Sequence, residues 1–327
     1  MSARRALITG ITGQDGSYLS ELLAAQGTDV HGFVLAGDPL LPELKRLVPS
    51  VAIHEGDLSS TASVASAIEA SQPDEIYHLA AASSVAASWE NPVVTSDLNG
   101  TGTVRVLDAA KRFGEAHGTA PRVLICSTAE MFGQPEVSPQ NEDTPIAPVS
   151  PYGAVKAFAH RMGHVSRSNG QHVSSVILYN HESPRRPDGF VTRKITKAAA
   201  RIAKGSPEPL QLGNMSARRD WGFAGDYVQA MVAALRHEEP DDFVVATGIS
   251  HSIEDFVAAA FAAAGIDDWR AHVAVDDGLL RPNDPADFVG DASKARRLLG
   301  WEPTVSFDEL VTMMVEADLA ALGEGLS

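Results

Sequence analysis

Short apolar runs alternate with longer amphipathic segments through the first half of the chain. The runs that we predict as strands cover residues 6–9, 29–35, 51–55, 75–79, 123–127 and 174–179. The segments with apolar residues at helical spacing cover residues 17–26, 61–70, 101–113 and 151–168. Strands that alternate with helices in this way form βαβ units, so the pattern predicts a parallel sheet with helices on both faces.

The pattern becomes less regular after residue 182. Residues 183–189 are rich in proline, glycine and arginine, which predicts an exposed loop. Further helices are predicted at 193–204, 253–264 and 293–299, with a strand at 244–247. We therefore predict an α/β fold of two parts. A doubly wound parallel sheet takes residues 1–182 plus about 220–250, and a smaller, discontinuous α/β lobe takes about 183–219 plus 251–327.

Charge and composition exclude several classes of function. The net charge of −16, from 42 acidic and 26 basic residues, argues against a nucleic-acid partner, which needs a basic face. No apolar run approaches the roughly 20 residues that span a bilayer, and residues 1–5 lead directly into the first strand. We therefore expect no membrane partner and a cytoplasmic location. A lone Cys126 allows no internal disulfide, and we predict no metal site.

Glycines at positions 10, 13 and 16 separate the first predicted strand from the first predicted helix. Glycine permits a tight turn and a close approach of the backbone to a pyrophosphate, and the helix N-terminus attracts the anion. A turn without a ligand is the alternative interpretation. The position of the loop favours a dinucleotide site, with these candidate contacts: Gly10, Thr12, Gly13, Gln14, Asp15 and Gly16.

Tyr152 and Lys156 lie four residues apart on a predicted helix and therefore share one face. A nearby ammonium group favours the phenolate, which lowers the pKa of the tyrosine and lets it exchange a proton with a sugar hydroxyl. This spacing also occurs by chance in purely structural helices. Here it follows a strand that ends at Ser127-Thr128, and Thr128 is a candidate hydrogen-bond donor to the substrate oxygen.

Ten stretches in order make this chain similar to the GDP-mannose 4,6-dehydratases, which are extended short-chain dehydrogenase/reductase enzymes. They are Gly10–Leu19, Pro73–Tyr77, Ser127–Gly133, Ser150–Lys156, Asn180–Arg186, Phe190–Lys194, Leu212–Asn214, Arg219–Gly222, Ala246–Gly248 and Leu299–Trp301. The resemblance implies a Rossmann sheet for the dinucleotide and a second lobe for the nucleotide sugar. It also implies that GDP-mannose becomes GDP-4-keto-6-deoxymannose through internal hydride transfer from C4 to C6 by bound NAD or NADP.

The same resemblance implies roles for individual residues. Thr128, Glu130, Tyr152 and Lys156 are the implied catalytic residues, and strand alternation would turn Glu130 to the same side as Thr128. Further implied cofactor contacts are Asp57, Leu58, Leu79, Ala80, Ala81, Ser83, Lys156, His181 and Arg186. Implied substrate contacts are Ser84, Asn180, Val191, Lys194, Arg219 and Arg281, and the two arginines are candidates for the diphosphate. A homodimer would form through helices 101–113 and 151–168.

The chain departs from the family pattern at several positions. Ala129 stands where the family has serine, so either Glu130 performs the dehydration step alone or that step is weakened. Residues 34–41 lack the arginines that hold the 2′-phosphate of NADP and link dimers into tetramers, so the choice between NAD and NADP stays open and a tetramer is doubtful. Asp38 either meets a ribose 2′-hydroxyl or opens a turn with Pro39. His78, Ser84 and Val94 replace family residues that we place near the substrate.

Two alternatives compete with a dehydratase. The first is an epimerase or reductase of the same fold that acts on GDP-hexose or another nucleotide sugar; Ala129 favours it and Glu130 disfavours it. The second is a catalytically silent dinucleotide sensor or scaffold. Such a protein has no need for Thr128, Glu130, Tyr152 and Lys156 together.

Overall fold

The computed structural model of this protein describes residues 3–276, 278 and 287–324. Its helices are α1 Gln14–Ala25, α2 Leu41–Leu47, α3 Thr61–Ser71, α4 Val85–Glu90, α5 Pro92–Thr95, α6 Gly102–His117, α7 Pro151–Ser168, α8 Val191–Ala203, α9 Ala224–Arg236, α10 Ile253–Ala263, α11 Ser293–Leu299 and α12 Phe307–Glu324. A π-helical stretch, Ser96–Thr101, leads into α6, and 3₁₀ turns cover Ala129–Phe132 and Trp269–His272.

The strands divide between one large sheet and smaller ones. They are β1 Arg5–Thr9, β2 Asp29–Val34, β3 Ala52–Glu55, β4 Glu75–His78, β5 Arg122–Thr128, β6 Val173–Leu178, β7 Asn180–Glu182, β8 Leu210–Leu212, β9 Arg218–Phe223, β10 Asp242–Val245, β11 Ser250–Ser252, β12 Val273–Val275 and β13 Asp287–Phe288. In the described part of the chain the large sheet is entirely parallel, with strand order β3-β2-β1-β4-β5-β6-β10. The doubly wound α/β fold is confirmed.

Successive residues of β1 face opposite sides of this sheet. Ala6 and Ile8 belong to a buried core that includes residues of α1 and α9, whereas Leu7 lies in a separate core with residues of α3 and α6. A strand covered on both faces must be apolar throughout, which is why β1 appears in the sequence as an unbroken apolar run. The strand order reverses between β1 and β4, and open α/β sheets bind ligands in the crevice at such a point.

A second core lies beyond the large sheet. Helices α8, α10 and α12 pack together over β8 and Trp221, and Phe256, Phe261 and Met314 are buried among them. The domain boundaries given above stay a prediction. Helix α11, which they place in the second lobe, packs against α9 and β10, and its Ala295 belongs to the first core.

Several elements differ from the prediction. Helix α1 begins at Gln14, three residues early, because Gly13 is already the extended residue that precedes it. Helices α9 and α12 and most short strands after residue 179 were not predicted. In the segment 183–189, Ser183 is buried and only residues 187–189 are exposed, so the exposed-loop prediction is wrong for its first part. No helix in the described residues is long and apolar enough to cross a bilayer.

Asp220 on β9 joins three segments that are distant in sequence. The carboxylate is fully buried and accepts hydrogen bonds from the backbone N–H and hydroxyl of Thr247, at 2.9 and 2.6 Å. It also accepts from the backbone N–H groups of Gly248 and Gly290, at 2.8 and 3.3 Å. Burial raises the pKa of Asp220, and these hydrogen bonds oppose that shift.

Replacing Asp220 by asparagine is expected to lower the free energy of unfolding by about 3 kcal/mol. The amide places N–H donors where the fold needs acceptors, so buried donors lose their partners. Urea unfolding followed by circular dichroism measures the loss, with Asp143→Asn on an exposed loop as the matched control. Equal midpoints for the two variants would show that the Asp220 bonds do not stabilise the fold.

Candidate active site

One cleft of about 1230 Å³ opens at the carboxyl ends of β1, β4, β5 and β6. Every predicted catalytic, cofactor and substrate residue lines it, except Arg281, which lies outside the described residues. The cleft reaches across to α8 and β9, so both the large sheet and the second core form its walls. The structure therefore brings together residues that are widely separated in the chain.

The glycine loop forms one wall of this cleft at the switch point of the sheet. Gly10 has φ +70°, and a Cβ atom on it would lie 2.8 Å from the backbone of Ala80. Only glycine allows this approach. Gly13 precedes α1 without any side-chain cap, so the helix N-terminus presents backbone N–H groups at the cleft. These features fit a dinucleotide pyrophosphate.

Asp38 lies in the cleft wall just after β2. Its carboxylate accepts a hydrogen bond from the Thr12 hydroxyl at 2.8 Å and another from the Leu40 backbone N–H at 2.9 Å. Asp38 thus closes a turn and also presents an acid beside the glycine loop. Among the described lining residues that follow β2 and β3, none is basic; they are Leu35, Asp38, Gly56, Asp57, Leu58 and Ser59.

An ion pair joins the start of α1 to β7. His181 Nε2 lies 2.9 Å from Asp15 Oδ2, and its Nδ1 lies 2.8 Å from the Tyr179 carbonyl. Burial acts against both charges, yet the pair lowers the pKa of Asp15 and raises that of His181. The side-chain amide of Gln14 adds to this connection between α1 and β7, because it donates a hydrogen bond to the His181 carbonyl and accepts one from the Ser183 hydroxyl.

Tyr152 and Lys156 lie in the first turns of α7, where Ser150 caps the helix by accepting from the Gly153 N–H at 3.0 Å. Burial lowers the pKa of Lys156. The pKa of Tyr152 is raised by burial and by the charge of Glu130, and its hydrogen bond with Thr128 opposes the rise. The sequence predicted a lowered pKa. Within the protein alone, desolvation outweighs that effect and keeps the phenol protonated at neutral pH.

Thr128 and Glu130 both line the cleft, but not for the predicted reason. Strand β5 ends at Thr128, and Glu130 lies in the 3₁₀ turn that follows, with its N–H donating to Thr128 Oγ1 at 3.3 Å. Strand alternation therefore does not orient Glu130, and that argument was wrong. The tight turn brings the two residues into the same cleft.

His78, which we expected near the substrate, is not among the described residues that line the cleft. Its ring is buried at the end of β4, with Nδ1 2.9 Å from Thr9 Oγ1 and Nε2 3.1 Å from Thr103 Oγ1. Burial lowers the pKa of His78 to about 3, so the ring is neutral. It connects β1 to α6 as a packed core residue. Ser84 and Val94 do line the cleft.

Arginines and aromatic rings form the opposite wall of the cleft. The Arg186 guanidinium lies 3.5 Å from the centre of the Phe190 ring and 3.0 Å from Glu182. The Arg219 guanidinium lies 5.4 Å from the centre of the Phe288 ring. Lining residues to which we had assigned no individual role include Asn214, Trp221, Ile253 and Phe288. Several fall within the quoted family stretches, but nothing in the sequence pointed to Ile253 or Phe288.

A family model described as GDP-mannose 4,6 dehydratase matches residues 7–314. GDP-mannose 4,6 dehydratase 1 of Arabidopsis thaliana is 44% identical over 324 residues, which cover 96% of this chain and 89% of the relative. The human GDP-mannose 4,6 dehydratase is 40% identical over 341 residues, which cover 96% and 91%. A UDP-glucose 4-epimerase of Thermus thermophilus, solved in complex with NAD, is 29% identical with a TM-score of 0.83 and coverage of 97% and 99%. The predicted family resemblance is confirmed.

Replacing Asp15 by asparagine is expected to move the pKa of His181 from above its ordinary value of 6.5 to below it. Without the carboxylate charge, burial and the neighbouring Arg186 both favour the neutral ring. NMR titration of the histidine Cε1–H signals measures the change, with Asp143→Asn as control.

The same pair makes stability depend on pH. Its contribution is lost as the pH rises through the raised pKa of His181, and also as the pH falls through the lowered pKa of Asp15. An unchanged His181 titration in the Asp15→Asn variant would contradict this account of the ion pair.

Proposed function

Because this chain belongs to the GDP-mannose 4,6-dehydratase family, we propose that it converts GDP-mannose into GDP-4-keto-6-deoxymannose and water. The observation that carries this proposal is one cleft that places Thr128, Glu130, Tyr152 and Lys156 beside the glycine loop. A reaction that begins with oxidation at C4 and then loses water needs one more acid–base group than a simple reductase. Glu130 is that additional group.

The residues divide the reaction between them. The glycine loop would hold a nicotinamide dinucleotide, which when bound would supply an acceptor for the C4 hydride and a donor of that hydride to C6. Tyr152 takes the proton of the C4 hydroxyl, and Thr128 holds the same oxygen by a hydrogen bond. Lys156, one helical turn after Tyr152 on α7, would supply positive charge that favours the phenolate. The resulting 4-ketone acidifies the C5 hydrogen, and Glu130 removes that proton and passes it to the C6 hydroxyl, which leaves as water. When hydride is returned to C6, C5 takes up a proton from solvent.

Each alternative function leaves at least one of the cleft residues Tyr152 and Glu130 without a role. A 4-epimerase or a reductase has no step that requires a carboxylate at C5, whereas Glu130 lies in the cleft and its charge acts on Tyr152. A silent sensor needs neither Tyr152 nor Glu130. Ala129 lies between Thr128 and Glu130 in the 3₁₀ turn and carries no hydroxyl, so proton transfer to the C6 oxygen also falls to Glu130.

Two variants separate the first step from the second. Tyr152→Phe is expected to slow reduction of bound cofactor by GDP-mannose at least about a hundredfold, because the C4 hydroxyl loses its base. Glu130→Gln is expected to retain this first step but to form no 6-deoxy product. Its pH profile for the first step should shift to lower pH, because removing the Glu130 charge lowers the pKa of Tyr152. Single-turnover absorbance of the cofactor and NMR of the product measure both.

Glu136→Gln, an exposed acid in the loop after the 3₁₀ turn, is the matched control and should behave as the unmodified enzyme. Rapid cofactor reduction by Tyr152→Phe would contradict the role of the phenol. Normal amounts of 6-deoxy sugar from Glu130→Gln would contradict the role of the carboxylate.

For the cofactor, we propose NAD rather than NADP. Asp38 is an acid at the position where the ribose 2′ group is read in this fold, and acids there accept a hydrogen bond from the 2′-hydroxyl. A 2′-phosphate at the same place would meet the like charge of Asp38 at close range. The described lining residues in the segments directly after β2 and β3 offer it no cation.

The chain is therefore expected to bind NAD⁺ at least about tenfold more tightly than NADP⁺, a difference of about 1.4 kcal/mol. Asp38→Ser should narrow this ratio because it removes the repulsion, whereas Glu43→Gln, an exposed acid on α2, should leave it unchanged. Calorimetric titration of each protein with both dinucleotides measures the ratios. A preference for NADP⁺ in the unmodified protein would contradict the reading of Asp38.

We also propose a homodimer in which α7 takes part. Phe158 and Val165 lie seven residues apart on this helix, on one face, and their side chains are 49% and 51% exposed. Val93 on α5 is 79% exposed. Large apolar side chains of this kind are favourable to cover with a second copy of the chain.

A further inference from the structure

A second cluster of ionisable side chains lies outside the cleft, where α7 crosses the edge strand β10. His160 and His164 are one helical turn apart on α7 and face Asp242 at the start of β10. Asp242 Oδ2 lies 2.5 Å from His164 Nε2 and 3.8 Å from His160 Nε2. One ligand atom from each of the three residues lies within 4.8 Å of the other two.

Neighbouring residues orient these groups. The Ser127 hydroxyl lies 2.9 Å from His160 Nδ1, which leaves Nε2 directed at Asp242. Arg167 donates to Asp242 Oδ1 at 2.6 Å, and this leaves Oδ2 for a second partner. Metal-binding histidines and carboxylates are typically held in this way through the atom that does not bind the ion.

We propose that His160, His164 and Asp242 form a binding site for a divalent transition-metal ion of the zinc type. Two imidazole nitrogens and one carboxylate oxygen are a ligand set that zinc accepts, with a solvent molecule completing the tetrahedron. Bonds of about 2.0–2.1 Å place the ligand atoms roughly 3.3 Å apart, so side-chain shifts of about 1 Å suffice. The site goes beyond the proposed dehydration and beyond the prediction of no metal.

Charge and exposure bear on the affinity. His164 is 31% exposed, which gives an ion a route from solvent. The positive charges of Arg167 and of Arg161, whose Nη1 lies 3.5 Å from His164 Nδ1, oppose a cation. The site is therefore weaker than one made of thiolates.

A bound ion would tie α7 to β10 and, through the hydrogen bond between His160 and Ser127, would be linked to the residue that precedes Thr128 at the end of β5. Helix α7 carries Tyr152 and Lys156 in its first turns. The ion is thus expected to stabilise the element that holds the catalytic pair, without contacting the cleft itself.

The test uses the full chain without a polyhistidine tag, freed of metal by a chelator. Zn²⁺ is expected to bind with one-to-one stoichiometry by calorimetry. At about a hundredfold excess over Kd it should raise Tm by roughly 4 °C. Co²⁺ should give the intense visible absorption of a four-coordinate ion. His164→Gln should lose both responses, and His117→Gln, a surface histidine on α6, should retain them.

A variant that replaces one metal ligand by another distinguishes loss of the metal site from unfolding of the protein. His164→Cys retains a metal ligand at the same position, so its Co²⁺ complex should gain a thiolate-to-cobalt charge-transfer band. Absence of any Zn²⁺ effect on the unmodified protein would overturn the proposal. So would an undiminished response in His164→Gln, or a Co²⁺ spectrum that His164→Cys leaves unchanged.

Discussion

The close approach of the Gly10 backbone to Ala80 is the contact on which the candidate active site depends. It occurs where β1 and β4 lie side by side and their following segments turn to opposite faces of the sheet. A side chain at Gly10 would overlap the backbone of Ala80 and force these segments apart, which would distort the crevice that the strand order creates. With glycine, the N-terminus of α1, the end of β4 and the turn after β5 all face one cleft.

Burial explains most of the electrostatics around that cleft. Desolvation raises the pKa of Tyr152, lowers that of Lys156 and acts against both members of the Asp15–His181 pair. Where two opposite charges meet, as in that pair, attraction outweighs burial, so the pKa shifts of both groups favour their charged forms. For Tyr152, burial and the charge of Glu130 outweigh the hydrogen bond with Thr128 and the charge of Arg186, so the pKa of the phenol is raised and the phenol is held neutral.

Local sequence patterns predicted the large sheet and most of the cleft. The central strands β1 and β5 are largely apolar because both faces of the sheet are covered, and the glycine loop and the Tyr152–Lys156 spacing are short-range features. Strand pairing between distant segments could not be predicted from local patterns. Strand β9 pairs with β7, β11 and β13, and His160 and His164 lie close to Asp242 only because β10 forms the edge of the sheet. Glu130 was identified through the resemblance to the dehydratase family. Its orientation depends on a 3₁₀ turn, whereas we had predicted that β5 would continue through this residue.

The most direct measurement is incubation of the enzyme with GDP-mannose in deuterated water, followed by NMR of the product. Removal of the C5 proton by Glu130 and return of the original hydride to C6 predict a 4-ketone, one deuterium at C5 and a C6 methyl group whose added hydrogen does not come from solvent. A GDP-hexose that retains its C6 hydroxymethyl group, with or without inversion at C4, would contradict the dehydratase account.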